Sequence, residues 1–419
     1  MRILLAFYPI DDMGGIINHN EQLSAGLQEL GHEVHTRLFL PREDVPRNGV
    51  AGGRGDSSPH TGMEYDQRRG YSWPRAACVP YMGRANKSAV ELLEGFDLVI
   101  WQVAVPTKRK ENLGNLSWLN LYDARVKQVA VVHDGNFLSS YPWLYFVREK
   151  LAGLACVHHC ALNSARRIST PSALILNPQE IGEAPDLSFP AWRQRRKGFL
   201  SVQTWKAWKH VPELLAALPY AGDIEKWVAG KGIDYYYLTS KDKCKYPGVW
   251  DKAVAAGMVY LDVISNEQRD NHLRRVTCLV DPSWSKKYAA IGGHFNRVMV
   301  DAIKMGAVPI VRPWGIGADS NGRGGELFVS GENCVAIHQG ANAESYGYHL
   351  TEFCHMDHRN YRRIMDNAVQ LLPMFERKRI AQQFIDLAYG DIVSGVGIDD
   401  PQVKLDASDA IVNFFGAAQ

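Results

Sequence analysis

Short apolar segments alternate with helical segments in both halves of the chain. In the first half, a predicted strand over residues 2–8 precedes a helical pattern over residues 17–30, and a second predicted strand follows at residues 33–40. The second half restarts the same alternation at residue 199. Strands that alternate with helices form parallel sheets, so the sequence predicts an α/β protein with two parallel-sheet domains.

The length of the chain supports two domains, because 419 residues exceed what one hydrophobic core usually holds. Prolines and a basic run between residues 185 and 198 indicate an interdomain linker. We therefore predict an amino-terminal Rossmann-like domain over residues 1–190 and a carboxy-terminal one over residues 191–395. Residues 396–419 form a predicted helical tail that we expect to pack back on the first domain.

Composition excludes some classes of protein. A net charge of +2 is not that of a strongly basic protein, although it allows a local basic patch. Seven scattered cysteines show no disulfide-like spacing, which favours a reducing compartment. Residues 1–8 are too short for a signal sequence, and no apolar run approaches the roughly 20 residues of a membrane span. We expect a cytoplasmic protein with no membrane partner.

A cationic turn follows the first predicted strand of the second half. Lys206 and Lys209 lie between that strand and a helical pattern, and Trp205 and Trp208 flank them. A fixed cation at such a turn stabilises the charge that grows on a departing diphosphate. The alternative is a solvated lysine face, which the two tryptophans make less favourable.

His133 and Asp134 directly follow the apolar strand at residues 129–132. Open α/β sheets place their chemistry at the carboxyl ends of strands. A carboxylate beside an imidazole there can orient a substrate hydroxyl and share its proton. The alternative is a loop pair that caps local backbone groups.

Asp301 falls inside an apolar helical pattern over residues 296–305. A carboxylate among apolar side chains is costly unless it has a partner, so this acid is a candidate to bind the two hydroxyls of a ribose. An acid on the solvent face of the helix is the alternative.

Two cysteines and two histidines cluster at residues 156–160, but the segment is not predicted to bind metal. A structural zinc site needs four converging ligands, usually from two separated pairs. Cys156 and Cys160 have no evident second pair elsewhere in the chain. We therefore predict no metal site.

Arginines interleaved with aromatic residues mark a long segment at residues 41–87, which is predicted to lack regular structure. Such a pattern suits contact with nucleic acid. The candidate residues for binding a nucleic-acid acceptor are Arg68, Arg69 and Arg75 in this segment, together with Lys108, Arg109 and Lys110 beyond it. The alternative is a flexible insertion whose acidic residues partly cancel the charge.

Taken together, these residues resemble the retaining glycosyltransferases of the GT-B fold, and within them the DNA α-glucosyltransferases of T-even bacteriophages. Gly15, with Gly31 sixteen residues later, matches the glycine loop and helix that open the family's first domain. His133-Asp134 matches an active-site pair, and Trp208-Lys209 matches the phosphate turn. Asp301, five residues before Gly306, matches the acid of the sugar-nucleotide helix.

Three positions depart from the family pattern. Thr204 stands where these enzymes usually carry an arginine, and Lys206 is a candidate to supply that cation. Gly293 stands where many relatives carry a first acid, which would leave the diphosphate to backbone amides at a helix start. Gly135 stands where the phage enzymes have histidine.

The resemblance implies two Rossmann-like domains that face a central cleft, and transfer of a sugar from UDP-glucose without a metal. It implies His133 and Asp134 as catalytic residues. The implied donor-binding residues are Gly14, Gly15, Ile16, Thr204, Lys206, Lys209, Gly232, Tyr235, His294, Phe295, Asn296, Arg297, Val298 and Asp301.

The implied acceptor is a hydroxymethylated pyrimidine base in double-stranded phage DNA. A GT-B enzyme that acts on a saccharide, lipid or protein is one alternative. Another is a nucleic-acid-binding protein on a decayed transferase scaffold, motivated by the missing arginine and first acid. The sequence leaves the oligomeric state open.

Overall fold

The computed structural model describes residues 1–8, 14–40, 50–53, 73–80, 85–102, 116–133, 144–203, 209–230, 248–283, 297–313, 327–404 and 406. The chain forms two compact units. The first comprises Met1–Glu180 together with Met374–Gln419, and the second comprises Ile181–Pro373. The domain boundaries that the sequence suggested, after residues 190 and 395, remain a prediction.

Nine strands, labelled in chain order, form the sheet of the first unit. They are β1 (Arg2–Phe7), β2 (Glu33–Leu40), β3 (Val50–Gly53), β4 (Trp73–Pro80), β5 (Leu98–Trp101), β6 (Lys127–Val132), β7 (Gly153–Cys156), β8 (Pro171–Leu174) and β15 (Gly395–Val396). Their order across the sheet is β15-β8-β7-β6-β5-β1-β2-β4-β3. The strands pair in parallel except β3 and β15, which are antiparallel to β4 and β8.

Helices of the first unit connect these strands. They are α1 (Gly14–Glu29), α2 (Ala85–Glu94), α3 (Leu144–Val147), α4 (His159–Ala165) and α12 (Arg377–Tyr389). Two 3₁₀ helices, Leu116–Asp123 and Arg148–Lys150, complete the connections. α12 packs on α1 so closely that a Cβ atom on Gly26 would overlap the backbone oxygen of Arg377. This contact holds α12 against α1 within the first unit.

Six strands, all parallel, form the sheet of the second unit. They are β9 (Arg196–Val202), β10 (Glu225–Ala229), β11 (Met258–Tyr260), β12 (Val276–Asp281), β13 (Val308–Val311) and β14 (Val335–Ala336). Their order is β11-β10-β9-β12-β13-β14. The chain thus builds outward from β9 in one direction and then starts again at β12 on its other side, which is the order of a doubly wound nucleotide-binding fold.

The helices of the second unit are α5 (Phe189–Gln194), α6 (Val211–Ala217), α7 (Val249–Ala255), α8 (Asn266–Arg275), α9 (Arg297–Lys304), α10 (Ala343–Cys354) and α11 (His358–Val369). The second unit also contains a 3₁₀ helix at Leu218–Tyr220. A further 3₁₀ helix, Leu372–Phe375, spans the point where the chain passes from the second unit into the first. The central strands of both sheets are buried: the residues of β12 are all enclosed, as are Ile3 to Phe7 of β1. Parallel strands covered on both faces read as continuous apolar runs, which explains why they were predictable. The prediction of two parallel-sheet domains is confirmed.

Residues 41–87 are the clearest correction to the sequence analysis. The segment was predicted to lack regular structure, but it contains β3 and β4, and β4 pairs in parallel with β2. Pro74 and Pro80 lie near the two ends of β4, where a missing N–H is tolerated. Because prolines are uncommon in strands, the sequence of this segment did not indicate a strand. The strand contains Arg75, one of the predicted acceptor-binding residues.

Residues 185–198, where the sequence indicated an interdomain linker, contain α5 and the start of β9. Ser188 caps α5: its side-chain oxygen accepts a hydrogen bond from the N–H of Ala191 at 3.4 Å. Arg195 then follows the helix and donates three hydrogen bonds to backbone oxygens, those of Leu273, Val276 and Met305, at 3.1, 2.8 and 2.6 Å. The basic run therefore contributes to the fold of the second unit.

A close contact at Gly306 completes this arrangement. Gly306 has φ of +75°, its oxygen accepts a hydrogen bond from the Tyr361 hydroxyl at 2.7 Å, and the Arg195 guanidinium lies over the Tyr361 ring. A Cβ atom at Gly306 would overlap Nη2 of Arg195. Arg195 cannot move aside without giving up its bonds to backbone carbonyls, so only glycine fits here.

We expect Gly306→Ala to lower the free energy of unfolding by about 3 kcal/mol, since it adds a left-handed backbone penalty to the loss of Arg195 hydrogen bonds. Gly257→Ala is the matched control, because Gly257 has φ of +84° and no described atom lies within 4 Å of a Cβ atom there. Urea denaturation measures both variants. Equal losses would show that the Arg195 contact adds nothing.

No helix among the described residues is both long enough and apolar enough to cross a membrane.

Candidate functional site

The strand order of the second unit places a polar cluster where β9 and β12 lie side by side. Gln203 follows β9, Asp281 ends β12, and Ser283 follows two residues later. Oδ1 of Asp281 accepts hydrogen bonds from Gln203 Nε2 at 2.8 Å, from the Ser283 N–H at 3.0 Å and from the Ser283 hydroxyl. All three residues are buried. The point where strand order reverses is where doubly wound sheets bind their ligands.

Lys209 lies between β9 and α6 and is only 8% exposed. Burial lowers its pKa below the usual range, and the negative charge of Asp281 opposes that shift. A lysine in this position carries its charge in a poorly solvated environment, where it acts more strongly on a nearby anion than it would in water. The lysine that was predicted to supply a cation at the strand-to-helix turn is therefore buried in the structure.

A second charged group lies at the same edge. Arg312 follows β13 and is 2% exposed. It donates to the backbone oxygen of His338 at 2.9 Å and pairs with Glu213 at 3.4 Å. Glu213 also contacts His210, whose φ of +49° marks the entry to α6. The sequence analysis missed this group and the Gln203–Asp281–Ser283 cluster. The signal that could have found them is the presence of polar residues directly after apolar strands.

Asp301 lies on α9 and is 1% exposed, so it is not an acid on the solvent face of the helix. Its carboxylate is 3.0 Å from Arg269 on α8, 3.6 Å from Arg297 and 3.9 Å from Lys304. Burial raises the pKa of Asp301, and these three cations oppose the shift. The acid predicted to bind ribose is therefore the centre of an ion-pair network whose shortest contact is with Arg269, a residue that the sequence analysis did not single out.

In the first unit, His133 follows β6, as predicted. Its ring meets the ring of His19, on α1, edge to face with centroids 4.9 Å apart. Burial holds the pKa of His133 well below its usual range, and the charges of His19 and His158 lower it further. His133 is therefore a neutral imidazole at pH 7, able to accept or donate one hydrogen bond.

His158 belongs to the segment of residues 156–160 that we considered and rejected as a metal site. Its Nδ1 atom accepts a hydrogen bond from the N–H of Ala161 at 3.1 Å and so caps α4. Among the described residues, no group of three or more histidine, cysteine, aspartate or glutamate side chains could hold a metal ion.

Several predicted site residues lie in other parts of the structure. Ile16 is half-buried on α1, which begins at Gly14 and Gly15, and Val298 is buried on α9. Outside the described residues lie Asp134, Thr204, Lys206, Gly232, Tyr235, His294, Phe295, Asn296, Arg68, Arg69, Lys108, Arg109 and Lys110. Their roles stay predictions from the sequence.

The basic run at residues 193–197 makes internal contacts. Beside the Arg195 hydrogen bonds, Arg196 pairs with Glu225 at 2.8 Å and lies over the ring of Trp227. Lys197 lies 3.9 Å from the centroid of the Trp192 ring. These contacts account for three of the four cations of the run without a nucleic acid.

Comparison with known proteins places the whole chain in one fold. No protein-family model and no curated protein matches the sequence. Solved structures do match over nearly the full length. HepE from Anabaena in complex with UDP superposes with a TM-score of 0.63 at 13% identity, covering 93% of this chain and 100% of HepE.

Two further solved structures match over a similar share of the chain. An α-glucosyltransferase in complex with UDP-glucose and DNA containing an abasic site gives a TM-score of 0.61 at 11% identity, covering 93% of this chain and 99% of that enzyme. A mutant of TarM from S. aureus, in complex with UDP, gives 0.58 at 10% identity, covering 92% and 99%. The chain therefore has the GT-B fold of glycosyltransferases, as the resemblance implied.

Proposed function

We propose that the chain is a UDP-sugar-dependent glycosyltransferase that transfers a hexose, with UDP-glucose as the donor. Lys209, buried where strand order reverses in the second unit, is the observation that carries the proposal. UDP or UDP-glucose is bound by HepE and by the α-glucosyltransferase, which have the same fold. The cation and its position match what a departing diphosphate requires.

We assign the leaving group and the acceptor to different residues. The bond between the sugar C1 and the UDP oxygen breaks while C1 bonds to the acceptor hydroxyl oxygen. Lys209 and Lys206 stabilise the charge that collects on UDP, together with backbone amides near Asn296 and Arg297. His133 and Asp134 face the acceptor hydroxyl and share its proton. The resemblance implies retention of the anomeric configuration.

The ion pairs of Asp301 fit a role in donor binding. Oδ2 of Asp301 lies 3.0 Å from Arg269 and 3.6 Å from Arg297 but has no hydrogen-bond partner in the described part of the chain, and Oδ1 lies 3.9 Å from Lys304. A buried carboxylate that is held by nearby charges keeps the capacity to accept hydrogen bonds from a pair of ribose hydroxyls. We propose that Asp301 binds the ribose of UDP in this way.

For the acceptor, we propose a hydroxymethylated pyrimidine base in DNA. Solved structures of the α-glucosyltransferase contain DNA with a hydroxymethyluracil (HMU) base. The cations at Arg68, Arg69 and residues 108–110 supply the charge that a DNA backbone attracts. HepE, with the same fold, has been solved with UDP and glucose. A saccharide acceptor is therefore the alternative outcome of the tests below.

We expect Arg68→Glu with Arg69→Glu to weaken DNA binding at least tenfold at every sequence and to reduce its salt dependence, because each neutralised phosphate releases condensed counterions. UDP binding and acceptor-free hydrolysis of UDP-glucose should be unchanged. DNA affinity measured between 50 and 200 mM salt tests this, a range over which DNA-binding proteins commonly lose much of their affinity.

The matched control reverses two other adjacent cations, Lys378 and Arg379, with the same change to glutamate. Both are exposed in the first turn of α12, where acidic residues favour the helix. DNA affinity that falls equally in both double variants would contradict a specific role for Arg68 and Arg69. DNA binding that does not respond to salt would contradict the DNA acceptor.

A further inference from the structure

His19 is a buried histidine on α1 that neither the proposed chemistry nor the family pattern uses. It is 3% exposed. Its Nδ1 atom lies 2.9 Å from Oδ1 of Asn177, which follows β8. Because an amide oxygen is an acceptor, the imidazole carries its proton on Nδ1 and donates it. This hydrogen bond ties α1 to the carboxyl edge of the first sheet.

His19 contacts His133 directly. The two rings lie edge to face, with centroids 4.9 Å apart and planes at 87°. Phe384, on α12, also meets the His19 ring edge to face, at 6.0 Å. The Nε2 atoms of His19 and His133 are buried and have no hydrogen-bond partner among the described residues. The ring of His19 therefore packs against an imidazole whose Nε2 atom is not held by a hydrogen bond in that part of the chain.

The groups around His19 and His133 keep both imidazoles uncharged. Burial lowers the pKa of His19 to about 4, and its hydrogen bond to Asn177 opposes that shift. The titratable groups whose charges act on His133 are His19 and His158, while Asn177 and Phe384 carry no charge. At pH 7 two neutral rings therefore meet, and their contact prefers the edge-to-face geometry that is observed.

We propose that His19, held by Asn177, is a positioning residue that fixes the imidazole of His133 at the carboxyl edge of the first sheet. The inference rests on the proposed function, since it assigns His19 to the same reaction. His133, His158 and Asn177 follow β6, β7 and β8 in turn, and α1 brings His19 onto this edge. A reactive side chain needs such support, because a displacement of about 1 Å can cost a hundredfold in rate.

Two substitutions test the positioning role through kinetics. His19→Phe keeps a ring of similar size but loses the donor, and Asn177→Leu removes the acceptor. We expect each to lower kcat about tenfold or more while KM for UDP-glucose changes less than twofold. Phe384→Leu is the control, because it alters the packing around His19 without touching the hydrogen bond. It should leave kcat per folded molecule unchanged.

A pH experiment distinguishes positioning from simple packing. Asn177→Asp places a carboxylate beside His19 and so raises the pKa of His19. Below that pKa, His19 becomes a cation against His133, and the transfer rate should gain a new acid limb. His19→Phe combined with Asn177→Asp should lack this limb, because the titrating ring is gone. An acid limb that persists in the double variant would overturn the proposal.

Nitrogen NMR of the histidine rings, recorded without substrate, gives a readout independent of the proposed activity. In Asn177→Asp, the His133 ring signals should shift in step with the titration of His19. Absence of UDP binding and of transfer by the parent protein would refute the proposed function, yet this coupling would still be measurable. The positioning role would be overturned if the His133 signals did not change during the titration of His19. It would also be overturned if kcat for His19→Phe were equal to kcat for Phe384→Leu.

Discussion

Lys209→Met should lower kcat for sugar transfer by about a hundredfold or more, on the order of 3 kcal/mol, as for other fixed electrostatic groups. Lys209 is buried where β9 and β12 lie side by side, so its charge acts through little water. The charge on the UDP oxygen exists mainly in the transition state and product. Removal of the cation should therefore affect kcat more than KM.

Lys226→Met is the matched control for Lys209→Met. Lys226 is also a buried lysine of the second unit whose pKa burial lowers, but it lies near the amino end of β10 and donates to the backbone oxygens of Gly222 and Ala256. The control should lose stability but keep its turnover per folded molecule. Near-normal turnover in folded Lys209→Met protein would contradict the assigned role.

Asp134→Asn should lower the transfer rate by about a hundredfold to ten-thousandfold, the range for a side chain that handles a proton in the transition state. The amide keeps the size of the side chain but cannot take up the acceptor proton. Asp134 directly follows His133, so we assign it to the acceptor side and expect UDP affinity to change little. Calorimetric titration with UDP and single-turnover transfer separate the two effects.

Asp123→Asn provides the comparison for a carboxylate of the first unit outside the proposed site. Asp123 is an exposed acid that pairs with Lys150, and its loss should change neither quantity. If UDP binding collapsed in Asp134→Asn while the chemistry per bound donor stayed normal, the role assigned to Asp134 would be wrong.

The fold was largely predictable because both units are built on buried parallel strands. Residues 129–132 are apolar throughout, residues 199–202 are apolar apart from Ser201, and each run is followed by polar residues. The two strands β3 and β4, which were not predicted, lie at one edge of the first sheet. β4 contains two prolines, and β3 consists of Val50, Ala51 and two glycines, so neither has the pattern of a buried strand.

The candidate site was predictable only where single residues carry the signal. Lys209 and Asp301 could be singled out as candidates because a cation at a turn and an acid in an apolar helix are unusual on their own. Their partners were not found, since Asp281 and Arg269 become relevant only when strands and helices bring them close. His19 and Asn177 are 158 residues apart in sequence, and no spacing rule links them.

The most direct test of the account is to incubate the protein with UDP-glucose and duplex DNA that contains hydroxymethylated pyrimidines, then digest the DNA and determine the masses of its nucleosides. Unmodified DNA, other UDP-sugars and small saccharide acceptors complete the panel. We expect UDP release together with a nucleoside heavier by one hexose, from modified DNA alone. Hexose transfer to a saccharide but not to DNA would contradict the proposed acceptor, and the absence of any sugar transfer or UDP release would contradict the central claim that the chain is a glycosyltransferase.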